Sequence, residues 1–152
     1  MKTATTWFEE YAISHQNEQN IKIHFVCVPA IFFSIVGILM SIPSDFLQNN
    51  FTFLNPYFSN WATILLVFAL FFYVRLSFKI FLQMLLFSVF CLVLNYYLST
   101  IVNLLLVSIL IFAIAWIGQF YGHKIEGKKP SFLKDLQFLL IGPAWVVYKV
   151  FR

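Results

Sequence analysis

The sequence predicts an all-α integral membrane protein: a bundle of four transmembrane helices, with an amphipathic helix before it and an interfacial or re-entrant helix after it. Hydrophobic residues make up 61% of the 152-residue chain, and charged residues only 11%. So few polar groups cannot cover a water-facing surface. The apolar residues are also gathered into long runs that use most of the chain, so we expect a single membrane-embedded domain over residues 1–152.

The first expected element is a short amphipathic helix on the membrane surface, indicated by Trp7, Phe8, Tyr11 and Ile13. The N-terminus lacks the apolar core of a secretory signal, so we expect no cleaved targeting peptide. Crossing a bilayer takes roughly 20 apolar residues, with a range of about 17 to 25. Four runs approach this length: residues 25–40, about 58–74, 80–98 and 101–120.

Only a short break, residues 98–101, separates the last two runs. One unbroken helix over both would be about twice the bilayer thickness, so a tight helical hairpin is expected. The final apolar stretch, residues 138–147, is too short to cross and contains Pro143. We expect it in the interface or re-entering the bundle, with a fifth span as the alternative.

Basic residues indicate the orientation of the four spans. The loops on one face, residues 41–57 and 99–100, contain one charged residue, Asp45, and no lysine or arginine. By the positive-inside rule, the opposite face, which carries the basic residues, is cytoplasmic. The membrane would be the inner membrane of a bacterium or the endoplasmic reticulum of a eukaryote. No basic helix or stripe is present, so we expect contact with the lipid bilayer and none with nucleic acid. The oligomeric state stays open. The cytoplasmic basic residues are Lys2, Lys22, Arg75, Lys79, Lys124, Lys128, Lys129 and Lys134.

All three histidines, His15, His24 and His123, lie at edges of apolar runs. An even number of crossings between His24 and His123 places all three imidazoles on one face, where they could form a metal site. His15 and His24 are nine residues apart, on opposite sides of a continuous helix, so sharing a metal requires a break. Residues 16–20 are the expected break, with Asn20 as a possible helix cap. For His24 alone, the alternative is an interfacial imidazole bonded to a backbone carbonyl.

The second histidine segment adds a carboxylate and two glycines. His123 and Glu126 are three residues apart and share one helical face, so they could serve a common centre. Gly118 and Gly122 form a small-xxx-small pair, which favours close packing of helices. In the first span, Pro29 is expected to kink the helix.

Together these residues form a recognisable pattern. It consists of His15, Asn17, Asn20, His24 and Pro29, then Gly122, His123, Glu126, Gly127 and Pro130, then Asp135, Leu136, Gly142 and Pro143. The pattern closely resembles the membrane family of 2-hydroxy-fatty-acid dioxygenases, named for the conversion of phytosphingosine to odd-numbered fatty acids. The resemblance covers residues 7–151. It implies an iron(II)-dependent, oxygen-consuming removal of one carbon from a 2-hydroxy fatty acid, which gives carbon dioxide and a shortened fatty acid.

The resemblance also implies roles for individual residues. His15, His24 and His123 would bind Fe(II), leaving coordination positions open for the 2-hydroxy acid and molecular oxygen. Glu126 is a catalytic candidate, as a ligand or a supporting carboxylate, and the His–Glu spacing differs among family members. Lys124, or alternatively Lys128, is expected to attract the substrate carboxylate. Candidates for fixing the imidazole tautomers are Asn17, Asn20, Glu126 and Asp135, for which solvation or helix capping is the alternative.

Two other classes of function remain open. A di-haem or quinone electron carrier needs imidazoles inside the bundle and usually on both faces, whereas here all three are expected on one. A non-catalytic membrane scaffold or small transporter would use polar residues within the spans as contacts between helices or as a pathway. The absence of ionisable residues from the middle of the spans argues against ion or proton transport. The polar residues are Gln83, Asn95, Asn103 and Gln119.

Overall fold

A computed structural model of the chain describes residues 4–13, 15–51, 55, 57–127 and 132–150, with side chains of residues 132–139 left out. Within this part of the chain all regular structure is helical, which confirms the predicted all-α class. The helices are α1 (Ala4–Ile13), α2 (Glu18–Met40), α3 (Asp45–Asn50), α4 (Trp61–Leu76), α5 (Phe78–Ser99), α6 (Leu104–Glu126) and α7 (Phe132–Val150).

Three helices, α2, α5 and α6, are long and apolar enough to cross a membrane, with 22 or 23 residues each. At a rise of about 1.5 Å per residue they reach about 33 Å, slightly more than the roughly 30 Å hydrocarbon core. α4 is apolar but has only 16 residues. The predicted membrane class is therefore supported by three spans, and crossing by α4 stays a prediction.

α4 nevertheless connects the two ends of the bundle. At its start, the indole nitrogen of Trp61 donates a hydrogen bond of 2.9 Å to the carbonyl of Pro43, shortly after α2 ends. Ser77, which follows the last residue of α4, lines a cavity together with Ala4 of α1 and Lys149 of α7. The α4–α5 turn therefore lies at the end of the bundle that carries α1.

α2 begins seven residues before the predicted apolar run, because a polar first turn is capped at Asn17. The Asn17 side-chain oxygen accepts hydrogen bonds from the backbone N–H groups of Gln19 and Asn20, at 2.9 and 3.4 Å. The proposed cap at Asn20 is thus wrong: Asn20 lies within the helix and is fully buried. The predicted break between α1 and α2 is confirmed, and α2 continues through Pro29.

α2 and α6 form the most extensively packed pair of helices. A β-carbon added at Gly118 of α6 would lie 2.6 Å from Sγ of Cys27 on α2, and one added at Gly37 of α2 would overlap Oγ of Ser108 on α6. Both approaches are far closer than van der Waals contact, so α2 and α6 approach each other through glycine hydrogens. This confirms the close packing predicted from the glycine pair.

Polar groups join α5 to α2 inside the bundle. The Asn95 side-chain amide donates to the carbonyl of Phe33 on α2 at 3.2 Å and to that of Cys91, one turn earlier on α5, at 2.9 Å. Because Asn95 is fully buried, water cannot reach its side-chain amide, and the two carbonyls serve as its hydrogen-bond partners instead. Asn95 therefore joins two helices, which is one of the two roles considered for polar residues within the spans.

The C-terminal helix α7 packs against α1, α2 and α5. Its residues 141–147 are all buried, which is the pattern of a helix enclosed on every side rather than of one lying on a surface. The Tyr73 hydroxyl of α4 donates a 2.7 Å hydrogen bond to the carbonyl of Leu140, close to Pro143. Residues 141–147 of the stretch expected in the interface or re-entering are therefore a buried part of the bundle.

We predict that α4 crosses the membrane. In a variant with Cys27 and Cys91 replaced by Ala, single cysteines at exposed Glu18 and Lys79 should react with an impermeant maleimide from the same side. A cysteine at exposed Asn50 should react from the other side, because one span separates it from Glu18. Labelling of positions 18 and 79 from opposite sides would contradict a crossing by α4.

Candidate metal centre

Three buried histidines meet at one end of the bundle. One possible ligand nitrogen from each of His15, His24 and His123 lies within 4.8 Å of the other two. The imidazole centroids are 4.3 Å apart for His15 and His24, 5.1 Å for His24 and His123, and 5.5 Å for His15 and His123. Nitrogen ligands at about 2.0–2.2 Å from an ion stand roughly 3–4 Å apart. Small side-chain adjustments would therefore let the cluster bind one metal ion.

Each histidine comes from a different part of the chain. His15 lies in the linker between α1 and α2, where its backbone N–H donates to the carbonyl of Ala12 at 3.0 Å. His24 lies in the second turn of α2, and His123 in the last turn of α6. The helix break after Ile13 redirects the chain, so that His15 faces His24 instead of lying on the far side of one helix.

Backbone carbonyls determine which nitrogen two of the rings can offer. The Nδ1 of His15 is 2.7 Å from the carbonyl oxygen of Tyr11, and the Nδ1 of His24 is 2.9 Å from that of Asn20. A carbonyl oxygen can only accept, so each Nδ1 carries the hydrogen. In the neutral rings Nε2 then holds the lone pair, as in most metal-binding histidines. The carbonyl contact considered as an alternative for His24 thus exists and favours metal binding.

The Glu126 carboxylate joins the end of α6 to the segment between His15 and His24. Oε1 accepts from the backbone N–H of Gln16 at 3.0 Å. Oε2 accepts from the backbone N–H of Asn17 at 3.0 Å and from the side-chain amide of Asn20 at 2.9 Å. We call this set of three hydrogen bonds the Glu126 clasp. It engages both carboxylate oxygens, while the group of possible ligands consists of the three imidazoles.

Two glycines allow the end of α6 to reach the clasp. A β-carbon at Gly122 would overlap Oδ1 of Asn20 and lie 3.5 Å from Cε1 of His24. Gly127 has a φ of 71°, a left-handed conformation that commonly ends helices because glycine has no side chain to oppose it. α6 therefore packs tightly against α2 beside His24 and ends immediately after Glu126.

Two aromatic residues complete the surroundings of His15, and neither was identified as part of the site from the sequence. The Tyr11 ring stacks on the His15 imidazole, with centroids 4.1 Å apart and planes inclined by 12°. Trp145 of α7 lies 5.1 Å from the Tyr11 ring and 6.0 Å from the His15 ring, between centroids. The spacing of four residues between Tyr11 and His15, about one helical turn, is a sequence signal that could identify Tyr11 as a neighbour of His15. No comparable spacing relates Trp145 to the histidines.

The remaining predicted site residues have different surroundings. Asn17 caps α2, and Asn20 supports His24 through its backbone carbonyl and Glu126 through its side chain. Lys124 is exposed in the last turn of α6. Asp135 and Lys128, which were also considered, have side chains outside the described part of the structure.

The fold and the site define an α-helical protein with three helices long and apolar enough to span a membrane and a buried three-histidine cluster that could bind a metal. Comparison with family models identifies the particular family. A model described as "2-hydroxy-palmitic acid dioxygenase Mpo1-like" matches residues 1–152, so the chain belongs to the Mpo1-like family. This confirms the family resemblance predicted from the sequence. No curated protein and no solved structure in the comparisons matches the chain.

We predict that Glu126→Gln weakens metal binding without abolishing it. An amide has one acceptor oxygen, so it cannot accept all three hydrogen bonds of the clasp, and its NH₂ group would face a donor. Loss of groups that support metal ligands typically costs about 10- to 100-fold in affinity. Titration with Fe(II) under anaerobic conditions measures the change. Glu18→Gln, at an exposed glutamate of the first α2 turn, is the matched control and should bind like wild type. Equal affinities in both variants would contradict a supporting role for the clasp.

Proposed function

We propose that the protein is an Fe(II)-dependent dioxygenase that removes one carbon from 2-hydroxy fatty acids. The observation that carries the proposal is the buried cluster of His15, His24 and His123 in a chain whose family is named for 2-hydroxy-palmitic acid dioxygenase. The family name suggests the reaction, and the cluster suggests where it takes place.

The residues present suit Fe(II). Imidazole nitrogens are common ligands of this ion, and three protein ligands leave coordination positions for other molecules. Two of the three rings are already held in the tautomer that offers Nε2. When bound, Fe(II) would supply open positions at which a 2-hydroxy acid, through its carboxylate and hydroxyl oxygens, and dioxygen can meet.

The proposed reaction balances without another reductant. The bond between C1 and C2 of the 2-hydroxy acid breaks, C1 leaves as carbon dioxide, and C2 becomes the carboxyl carbon of the shortened acid. One water molecule is also formed. Dioxygen accepts all the electrons that the acid loses, so no electron-transfer partner is required. Turnover would require only Fe(II) held by the three histidines, dioxygen and a membrane-dissolved acid.

The protein's own groups would hold the reacting molecules in place and exclude water. The three histidines have exposed fractions of 5%, 1% and 8%. Tyr11 and Trp145 cover His15 from the side of α1 and α7. This shielding would limit side reactions with water during oxygen chemistry. The Glu126 clasp would keep the two histidine segments together while substrate enters and product leaves.

We also propose that the protein is one domain with four spans and that the site faces the cytoplasm. The α4–α5 turn, with Lys79, lies at the histidine end of the bundle, and Lys22 and Lys124 flank the histidines in sequence. A concentration of lysines on one side is typical of cytoplasmic loops.

We predict that His15→Ala, His24→Ala and His123→Ala each abolish Fe(II) retention and oxygen-dependent chain shortening. Each removes one of three ligands, whereas Lys22→Gln, at an exposed site near His24, should retain both properties. Metal analysis and product analysis with 2-hydroxypalmitate provide the measurements, and circular dichroism verifies the helical fold. With wild type, palmitate should not be shortened, because it lacks the hydroxyl oxygen that completes the chelate. Equal turnover of both acids, or a full metal content in a histidine variant, would refute the proposal.

A further inference from the structure

A cavity lies beneath α1, separate from the three-histidine cluster. Its volume is about 400 Å³, and it opens at the surface between α1, the start of α5 and the end of α7. Its walls include the aromatic rings of Phe8, Trp145 and Tyr148, while Glu9 and Lys149 bring one negative and one positive charge to its lining. An apolar volume with a few polar groups is typical of a site for an amphipathic small molecule.

The cavity adjoins the candidate metal centre. Ala12, which lines the cavity, lies one helical turn before His15, and its carbonyl accepts the His15 backbone N–H at 3.0 Å. Trp145 lines the cavity as well, and its ring centroid is 6.0 Å from that of His15. Trp145 is therefore a wall shared by the cavity and the histidine cluster. From Ala12 to Ala4 the cavity follows α1 for about 12 Å, at about 1.5 Å per residue.

A lysine lies on this shared wall. The Nζ of Lys149 is 4.0 Å from the centroid of the Trp145 ring, a cation–π contact that keeps the ammonium group beside the aromatic wall. A second ammonium, that of Lys79, lies 5.6 Å from the centroid of Tyr148, which also lines the cavity. An ammonium group attracts a carboxylate as a compact point charge. The cavity thus offers a positive charge close to the candidate metal centre and aromatic walls leading away from it.

We propose that this cavity binds the acid substrate before it moves to the metal centre, with the carboxylate on Lys149 and the acyl chain along Phe8 and Tyr148. The proposal rests on the proposed function and adds a binding site to it. Both Lys149 and Lys124 are exposed, and we prefer Lys149 as the residue that attracts the carboxylate because it lines this cavity. Glu9 in the same lining opposes binding of an anion, so removal of its charge should strengthen binding.

The test measures equilibrium binding of radiolabelled 2-hydroxypalmitate and of its methyl ester to metal-free, full-length protein in phosphatidylcholine nanodiscs. Lys149→Gln should weaken binding of the acid about tenfold, the usual scale for one hydrogen bond to a charged group, and should leave binding of the ester unchanged. Lys149→Arg should restore most of the affinity, which shows that the charge and not a folding defect is responsible. Glu9→Gln should bind the acid more tightly, and Lys22→Gln should match wild type.

Filling the cavity tests the position of the acyl chain. Ala4→Phe places a ring at the far end of the cavity and should weaken binding of acid and ester alike. The matched control is Ala69→Phe, in the apolar cavity of about 380 Å³ between α2 and α4. This control should leave both affinities unchanged. A loss of binding in Ala69→Phe together with normal binding in Ala4→Phe would place the chain in the other cavity and overturn the proposal.

The two proposals fail in different ways. If metal-free wild type binds the acid as described but iron-loaded protein does not shorten it, the binding site stands and the dioxygenase function fails. If iron-loaded wild type shortens the acid while Lys149→Gln retains the wild-type KM and affinity, the binding site fails and the function stands. A raised KM in Lys124→Gln but not in Lys149→Gln would also overturn the proposal, in favour of Lys124.

Discussion

The Glu126 carboxylate bonds to a segment of the chain about 110 residues earlier, and the candidate metal centre depends on this contact. Gln16 follows His15, Asn20 supplies the carbonyl that orients His24, and His123 lies one turn before Glu126. The clasp therefore relates all three imidazoles to one another. A charged acceptor with three N–H partners is a stronger link than neutral groups would form.

The clasp can form only because α2 and α6 lie unusually close together. Gly118 and Gly122 present hydrogens, rather than side chains, to Cys27 and Asn20 of α2. In a membrane, where lipid is as apolar as the helix surfaces, this kind of close packing holds helices together. The same glycines that stabilise the bundle therefore determine how near His123 comes to His24. The fold and the site share one helix interface, and a larger side chain there would affect both.

Much of this arrangement could be predicted from the sequence. Long apolar runs indicate the helices, and an even number of crossings between His24 and His123 places the three histidines on one face. The start of α2 was missed because hydropathy does not recognise a polar first turn capped by Asn17. Glu126 was identified, but its hydrogen bonds depend on tertiary contact. Trp145 and the burial of α7 could not be predicted, since both arise from packing between segments without a shared periodicity. The meeting of all three histidines at one end of the bundle also fits one metal centre better than the paired imidazoles of a di-haem carrier.

The central claim is that one iron ion is bound by three imidazoles. X-ray absorption spectroscopy of iron-loaded wild-type protein in lipid tests it most directly, because imidazole rings give characteristic multiple scattering. We predict a first shell of nitrogen and oxygen at about 2.0–2.2 Å, taking the usual imidazole and carboxylate distances of zinc as a guide, with scattering from three histidines. A shell without imidazole scattering, or one containing sulfur from Cys27 or Cys91, would contradict it.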